Sequence, residues 1–342
     1  MNATVLIPLV ALALPAGELS IDYTAERTFE VSIETEVVSE TTHMRMEING
    51  EEREGGRFGS GGPSEYRREV VYRETVLAHD DGAPTKVRRA FETVSAVRGA
   101  MRGEESMEFD VESPLEDVTL IIALDEGEAV ASIEDGSDPE RSEMLEGHRL
   151  ENLLHGILPE SDATEWEPEA GAIASMLLLD VERALFPPPQ FDEGGGEHGG
   201  GRRFRGGFGG SGLGFLREAE WDARATRAER AEEIGGRTCI VIELELEAEG
   251  EMPEMRFGRG GRDRMAGTAS VVERIVANTF EVELTGELFF DVEARMPVRL
   301  ELEGEFMQGM VMERETERGE FRMERTVEGS IEHEITITAE DA

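Results

Sequence analysis

The sequence predicts an α+β protein that is mainly antiparallel β: a large curved sheet or open half-barrel with two helices packed on it. Alternation of apolar and polar residues dominates the 342-residue chain, as is typical of an antiparallel sheet with one solvated face. Two mid-chain segments break this alternation and carry helix signals. A hydrophobic content of 39% provides enough apolar material for a core.

The N-terminus contains a ten-residue apolar stretch, Val5 to Leu14. This stretch is too short to span a bilayer, and it has the length of a signal-peptide core. Small residues follow, and a cut after Ala16 fits the cleavage rule. We therefore expect residues 1–16 to be a signal peptide and the protein to be exported, periplasmic or extracellular, without a transmembrane segment after cleavage. A buried N-terminal strand is the alternative.

Residues 19–186 are predicted to form an N-terminal β-rich half that ends in the two helices. The stretch "FEVSIETEV" places Phe29, Val31 and Ile33 on one face and glutamates on the other. Further strands are predicted at Met44–Ile48, Val70–Leu77, Val87–Val97, Met107–Val111, Val118–Leu124 and Val130–Ile133.

The two helices are predicted from their start and stop signals. "DPERSEMLEGHRLENLLHGILPE" begins with Asp138 as an N-cap and Pro139 at the first helical position. "EPEAGAIASMLLLDVERALFPPP" repeats this design, with Pro168 near its start and a triple proline from 187 to 189 as its stop.

Residues 187–214 are predicted to be a linker rich in glycine, proline and arginine. Its three acidic and three basic residues cancel, so it is not the basic arm that nucleic-acid binding needs. Phe204, Phe208 and the adjacent Phe215 could instead dock into a groove or act as a lid.

Residues 215–342 are predicted to be a C-terminal antiparallel half that completes the same sheet. In "REAEWDARATRAERAEEIGG" the composition favours helix, but alternation favours a strand that turns at Gly235 and Gly236. "IELELEAE" places Leu244 and Leu246 opposite glutamates. "FEVEL" and "LFFDV", which flank Thr285-Gly286, predict a hairpin.

The charge is strongly negative, with 76 acidic against 34 basic side chains and a formal net charge of −42. Such a surface repels nucleic acid and attracts cations and basic partners. On strands, rows such as Glu243 to Glu249 place like charges side by side, which destabilises a sheet. Either arginines such as Arg274, Arg299 and Arg322 interleave, or weakly bound divalent cations screen the rows.

Motifs for catalysis are missing from the sequence: it contains no G-x-S-x-G, Walker A or dinucleotide-binding motif. Cys239 is the only cysteine, which excludes an internal disulfide and a cysteine-based zinc site, and we expect it to be buried. His148, Glu151 and His155 share a predicted helix face without tight ligand spacing, and packing of that edge on the sheet is the alternative. The sequence nominates no catalytic residue, metal ligand or cofactor.

The order of several stretches resembles bacterial extracytoplasmic families of unknown function. These stretches are "FEVSIETEVVSETTHMRMEINGEE", "DDGAPTKVRRAFE", "LEGHRLENLLHGILP", "ATEWEPEAGAIASMLLLD" and "FFDVEARMPVRLELEGE". Those families are similar to the lipoprotein-carrier fold. The resemblance implies a curved antiparallel sheet, helices that cover its concave face, and an apolar ligand cavity.

These observations together predict a non-enzymatic exported binding module for a lipid or another apolar ligand, with the helices as a lid. The expected lining residues are Phe29, Val31, Ile33, Leu244, Leu246, Phe280, Phe290 and Leu302. The alternative is an acidic envelope or surface protein that binds cations or basic partners. A hydrolase is a third hypothesis, for which the sequence nominates no residues.

Overall fold

A computed structural model describes most of the chain between residues 19 and 340. The described ranges are 19–24, 26–53, 62–102, 105–159, 162–187, 212–251, 272–316 and 319–340. The predicted signal peptide and most of the predicted linker lie outside these ranges.

Of the strands before the helical region, three have 17 to 21 residues and the others have 3 to 8. They are β1 (Thr28–Ile48), β2 (Glu51–Arg53), β3 (Ser64–Asp80), β4 (Ala83–Arg102), β5 (Glu105–Glu112), β6 (Thr119–Asp125) and β7 (Glu128–Ile133). After the helical region follow β9 (Glu220–Ile234), β10 (Arg237–Glu251), β11 (Val272–Asp291), β12 (Met296–Thr316) and β13 (Gly319–Glu340).

The described residues of the helical region between them form only short elements. These are 3₁₀ turns at Ser142–Leu145, His155–Ile157 and Gly214–Glu218, the short strand β8 (Glu165–Trp166), and the helices α1 (Ala170–Met176) and α2 (Glu182–Leu185). None of the helices in the described ranges is long and apolar enough to cross a membrane.

The described strands form one antiparallel sheet, which is open and matches the predicted fold class. Its order is β7-β6-β4-β3-β1-β13-β12-β11-β10-β9-β8, with β2 paired to β1 and β5 paired to β4. The strand β1 therefore pairs with β3 on one side and with β13 on the other.

The sheet has two chemically different faces because its strands alternate. On the first face, a cross-strand row joins Ile33, Ile335, Leu300, Leu288 and Ile242, and all five are buried. The neighbouring residues on the second face are mostly glutamates. We call these the apolar face and the acidic face.

The apolar face is covered by residues 138–187, which we call the cover. The structure describes the cover except for residues 160 and 161. Its side chains Leu154, Ile157, Ile173, Met176 and Leu177 are fully buried in one hydrophobic cluster with the apolar face. The core of the molecule therefore lies between the sheet and the cover.

The helix predicted across Asp138 to Glu160 is wrong in the described residues, which contain two 3₁₀ turns instead. Gly147 interrupts the helix with a φ of +77°, and a Cβ there would lie 2.2 Å from the backbone oxygen of Asp180. Only glycine permits that approach. The second predicted helix is divided into α1 and α2.

The predicted hairpin at Thr285-Gly286 is also wrong, because β11 continues through both residues. A Cβ on Gly286 would lie 1.9 Å from the backbone oxygen of Glu301 on β12. This glycine therefore allows a close approach of two strands and does not form a turn. By contrast, the strand β9 and the turn at Gly235 and Gly236 are confirmed.

Candidate functional site

The eight predicted lining residues all lie on the apolar face. Phe29, Val31, Ile33, Leu244, Leu246, Phe280, Phe290 and Leu302 are each at most 3% exposed. Leu244 and Leu302 belong to one cross-strand row, where only Gly286 separates them. Phe280 and Phe290 lie ten positions apart on β11, Phe280 near the middle of the strand and Phe290 near its C-terminal end. The alternation thus placed these residues on one face, and their role in binding stays a prediction.

The predicted lid residues are only partly described. Phe215 packs edge-on against Phe280, with ring centroids 5.4 Å apart, and against Phe306 at 5.3 Å. It therefore contributes to the edge of the hydrophobic cluster. Phe204 and Phe208 lie outside the described residues.

A small cavity lies between the cover and the sheet. This cavity has about 20 Å³ and lies between Val70 and Phe91 of the sheet and His148 and Leu178 of the cover. Such a volume holds about one water molecule. A ligand of lipid size can therefore occupy the apolar face only if the cover moves.

A chain of hydrogen bonds crosses the centre of the apolar face. The guanidinium Nη2 of Arg68 donates to Thr35 Oγ1 at 2.9 Å, and Thr35 Oγ1 lies 2.9 Å from His333 Nδ1. His333 Nε2 lies 3.1 Å from the backbone oxygen of Met176 in the cover. Because a carbonyl only accepts, His333 donates from Nε2, and its Nδ1 accepts from the Thr35 hydroxyl.

This arrangement requires a neutral His333. Burial, together with the nearby positive charge of Arg68, lowers the pKa of His333 to about 3. A second proton on the ring would have to share the Thr35 oxygen with Arg68. The chain therefore has a single consistent direction, from Arg68 through Thr35 and His333 to the cover.

Arg68 is a buried cation without a counter-ion among the described residues. Its side chain is 2% exposed, and no carboxylate there lies within ion-pair distance. Apart from Thr35, it donates only to the backbone oxygen of Leu177, at 3.2 Å, and its Nε and Nη1 have no partner. Burial of a charge is costly unless it is paired, so this residue is exceptional in the core.

A second buried arginine is fully paired. Arg89 donates from Nε to Glu74 Oε2 at 2.8 Å, and both residues are at most 4% exposed. The Nη2 of Arg89 also donates to the backbone oxygen of Arg149 in the cover, at 3.1 Å. Buried side-chain donors of the sheet thus bond to the cover at two separate places.

The histidines on the first predicted helix do not form a metal face. His148 is buried, its Nε2 donates to the backbone oxygen of Met144 at 2.9 Å, and its Nδ1 has no partner. Burial and the charge of Arg89 lower its pKa to about 4. His155 packs against the ring of Tyr23 instead. Within the described ranges, no group of three histidine, cysteine or acidic residues could hold a metal ion.

Cys239 is fully buried in β10, which confirms the sequence-based prediction. Burial, with the nearby Asp291 carboxylate, raises the pKa of its thiol to about 11. The thiolate, which is the reactive form of cysteine, is therefore scarce at neutral pH.

The acidic face carries a row of glutamates that pair directly across six strands. In strand order from β3 to β10 they are Glu69, Glu34, Glu334, Glu301, Glu287 and Glu243. Arginines interleave in part of this row: Arg299 pairs with Glu301 and Glu334, and Arg230 pairs with Glu243 and Glu287. Among the described contacts, Glu34 and Glu69 have no such partner.

Two open depressions lie on the acidic face. One has about 1030 Å³ and is lined by the six-glutamate row and its neighbours on the same strands. The other has about 520 Å³ and lies further along the strands, beside Glu281, Glu305 and Glu328. Arg322 pairs with Glu313 and Glu324 and so lies between glutamates as expected. The structure does not describe the side chain of Arg274.

Comparison with known proteins gives only distant structural likenesses. No family model matches the chain, and no curated protein matches it. One solved structure with a likeness to this chain is that of lipovitellin, from a study of its lipid–protein interactions. The alignment covers 94% of this chain and 26% of the lipovitellin chain, at 8% identity and a TM-score of 0.39. The chain thus spans about a quarter of the lipovitellin chain.

A second solved structure is the outer membrane protein OprG from Pseudomonas aeruginosa. The alignment covers 92% of this chain and 98% of the OprG chain, at 5% identity and a TM-score of 0.18. Both TM-scores are low.

Proposed function

We propose that this protein is an exported binding module for a lipid or another apolar ligand, with its cover closed in the present structure. The observation that carries the proposal is the covering of a broad apolar face by a segment with little regular secondary structure. Helices of seven and four residues, such as α1 and α2, are not stable on their own in water. The cover can therefore separate from the sheet at a lower free-energy cost than the strands can separate from one another.

The contacts between cover and sheet support such a movement. At the buried centre, three polar contacts run from sheet side chains to backbone atoms of the cover: from His333 to Met176, from Arg68 to Leu177 and from Arg89 to Arg149. At the edge of the sheet, the two-residue strand β8 of the cover pairs with β9. Water can replace these hydrogen bonds when the cover opens. The apolar contacts that are lost can be replaced by a ligand, because hydrophobic burial is not directional.

The proposal can be tested with an apolar fluorescent probe, N-phenyl-1-naphthylamine, titrated into the full chain. We expect saturable binding, and tighter binding by the variant Thr35→Val. That variant leaves Arg68 and His333 without their shared partner in the closed form, which raises the open population by about tenfold.

The matched control is Thr338→Val, which removes an exposed hydroxyl on the acidic face of β13. We expect it to bind the probe as the wild type does. If neither the wild type nor Thr35→Val binds the probe, the proposed binding of apolar ligands is wrong.

The acidic face supports a second candidate function, the binding of cations or basic partners. Its specific observation is the depression of about 1030 Å³ lined by directly opposed glutamates. A calorimetric titration of the protein with spermine tests this function. We expect spermine to bind, and its affinity to fall with added salt and in the double variant Glu34→Gln, Glu69→Gln. If spermine does not bind at low salt, this second function is excluded.

A further inference from the structure

We propose that Arg68 receives the oxyanion headgroup, a carboxylate or a phosphate, of an amphiphilic ligand when the cover opens. This inference rests on the proposed function and gives it a ligand class. It starts from the unusual state of Arg68, a cation that is 2% exposed and has two nitrogen atoms without a partner.

The donors around Arg68 converge on one short piece of the cover. Arg68 Nη2 lies 3.2 Å from the backbone oxygen of Leu177, and His333 Nε2 lies 3.1 Å from that of Met176. These two oxygens belong to consecutive residues at the C-terminal end of α1, where the partial charge of a helix is negative. In the closed form, the end of α1 therefore presents oxygen acceptors to both donors.

Opening of the cover removes both acceptors at once. Arg68 and His333 then present two N–H donors side by side, because β3, β1 and β13 hold Arg68, Thr35 and His333 in one cross-strand row. A carboxylate or phosphate offers oxygens that replace the two carbonyls. The guanidinium fork also has the geometry that such oxyanions prefer.

The surroundings of the row suit the rest of an amphiphile. The adjacent row contains Val70, Ile33 and Ile335, and the row on the other side contains Tyr66, Val37 and Ile331. All six of these side chains are buried on the apolar face. A headgroup at Arg68 therefore leaves the hydrocarbon tail of the ligand in contact with these buried and mainly aliphatic side chains.

A purely structural role for Arg68 is the competing explanation. As a cap of α1, Arg68 stabilises the closed form but gives no preference among ligands. The proposal, in contrast, requires that an ionised headgroup increases affinity. The two explanations therefore differ in the ratio of affinities for an acid and its neutral ester.

The experiment compares oleate with methyl oleate at about pH 8, below their aggregation limits, by displacement of N-phenyl-1-naphthylamine from the full chain. We expect the wild type to bind oleate about tenfold more tightly, as for one charge-assisted hydrogen-bonded contact. In Arg68→Met the ratio should fall to about one. In the control Arg67→Met, on the opposite face of β3 and exposed, the ratio should stay near ten.

Each outcome has one meaning. Equal affinities of the wild type for acid and ester overturn the headgroup site and leave the proposed function standing, whereas no binding of either overturns both. If acetate or inorganic phosphate alone matches the affinity of oleate, the site takes free anions and the amphiphile is wrong. If Arg68→Met does not fold, the ratio of the wild-type affinities for oleate and methyl oleate still tests the headgroup site.

Discussion

At the scale of single residues, two buried arginines on the same face differ in how their charge is balanced. Arg89 has the carboxylate of Glu74, whereas Arg68 has a hydroxyl and one carbonyl. Removal of one partner of a buried ion pair leaves the other charge uncompensated, which is far more costly than loss of an exposed pair. The cost of a buried charge can be tested at the carboxylate partners of two neighbouring arginines of β4, one exposed and one buried.

We expect Glu74→Gln to destabilise the protein by about 3–5 kcal/mol, because Arg89 loses the one carboxylate that pairs with it among the described residues. The measurement is the free energy of unfolding in urea. The control is Glu134→Gln, which breaks the exposed pair with Arg88, the residue next to Arg89, and it should change stability little. Equal effects of the two substitutions would contradict the importance of the buried pair.

The two buried histidines predict a loss of stability in mild acid. Burial lowers the pKa of His333 to about 3 and that of His148 to about 4, while the unfolded chain binds protons near pH 6.5. Each histidine therefore contributes stability that is present above pH 6.5 and is lost as the pH falls towards its folded pKa. Between about pH 7.5 and 5.5 the loss is about 1.4 kcal/mol per histidine.

Urea unfolding at the two pH values measures this loss. The variant His333→Gln should lose about 1.4 kcal/mol less than the wild type between them. His43→Gln, at an exposed position of β1, should follow the wild type. A wild type with the same stability at both pH values would show that these histidines are not held neutral.

At the scale of elements, glycines on the apolar face set the spacing of neighbouring strands. A Cβ on Gly304 would lie 1.9 Å from the backbone oxygen of Glu283, whereas one on Gly309 of the same strand would meet only Thr279 Oγ1, at 3.5 Å. We expect Gly304→Ala to cost about 1–3 kcal/mol, as overpacking does, and Gly309→Ala to be nearly neutral. Thermal unfolding of both variants checks this, and the opposite order would disprove the close approach.

The strands were predictable because alternation is a local property of the sequence. The structure of the cover was not predictable, since Gly147 lies against the backbone of Asp180, a residue more than thirty positions away. The same limit applies to the site. The pattern placed Phe29 and Leu302 on the apolar face, but the bond between Thr35 and His333 joins residues 298 positions apart, and no local pattern fixes the register of those strands.

At the scale of the whole molecule, the net charge of −42 opposes compactness by self-repulsion. We expect the melting temperature to rise by about 3–6 °C between about 20 mM and 0.5 M sodium chloride, since salt screens exposed charges. Sucrose at equal osmolality is the control and should produce a smaller rise. An unchanged melting temperature in salt would mean that the interleaved arginines already neutralise the acidic face.

The pairing of β1 with β13 has a consequence for the biosynthesis of the protein. During translation, β1 emerges early and can pair with β3, but its other edge stays vacant until Gly319–Glu340 have left the ribosome. The sheet therefore stays incomplete until β13 has been synthesised, and until then the nascent chain carries an open strand edge of the kind that recruits chaperones or aggregates.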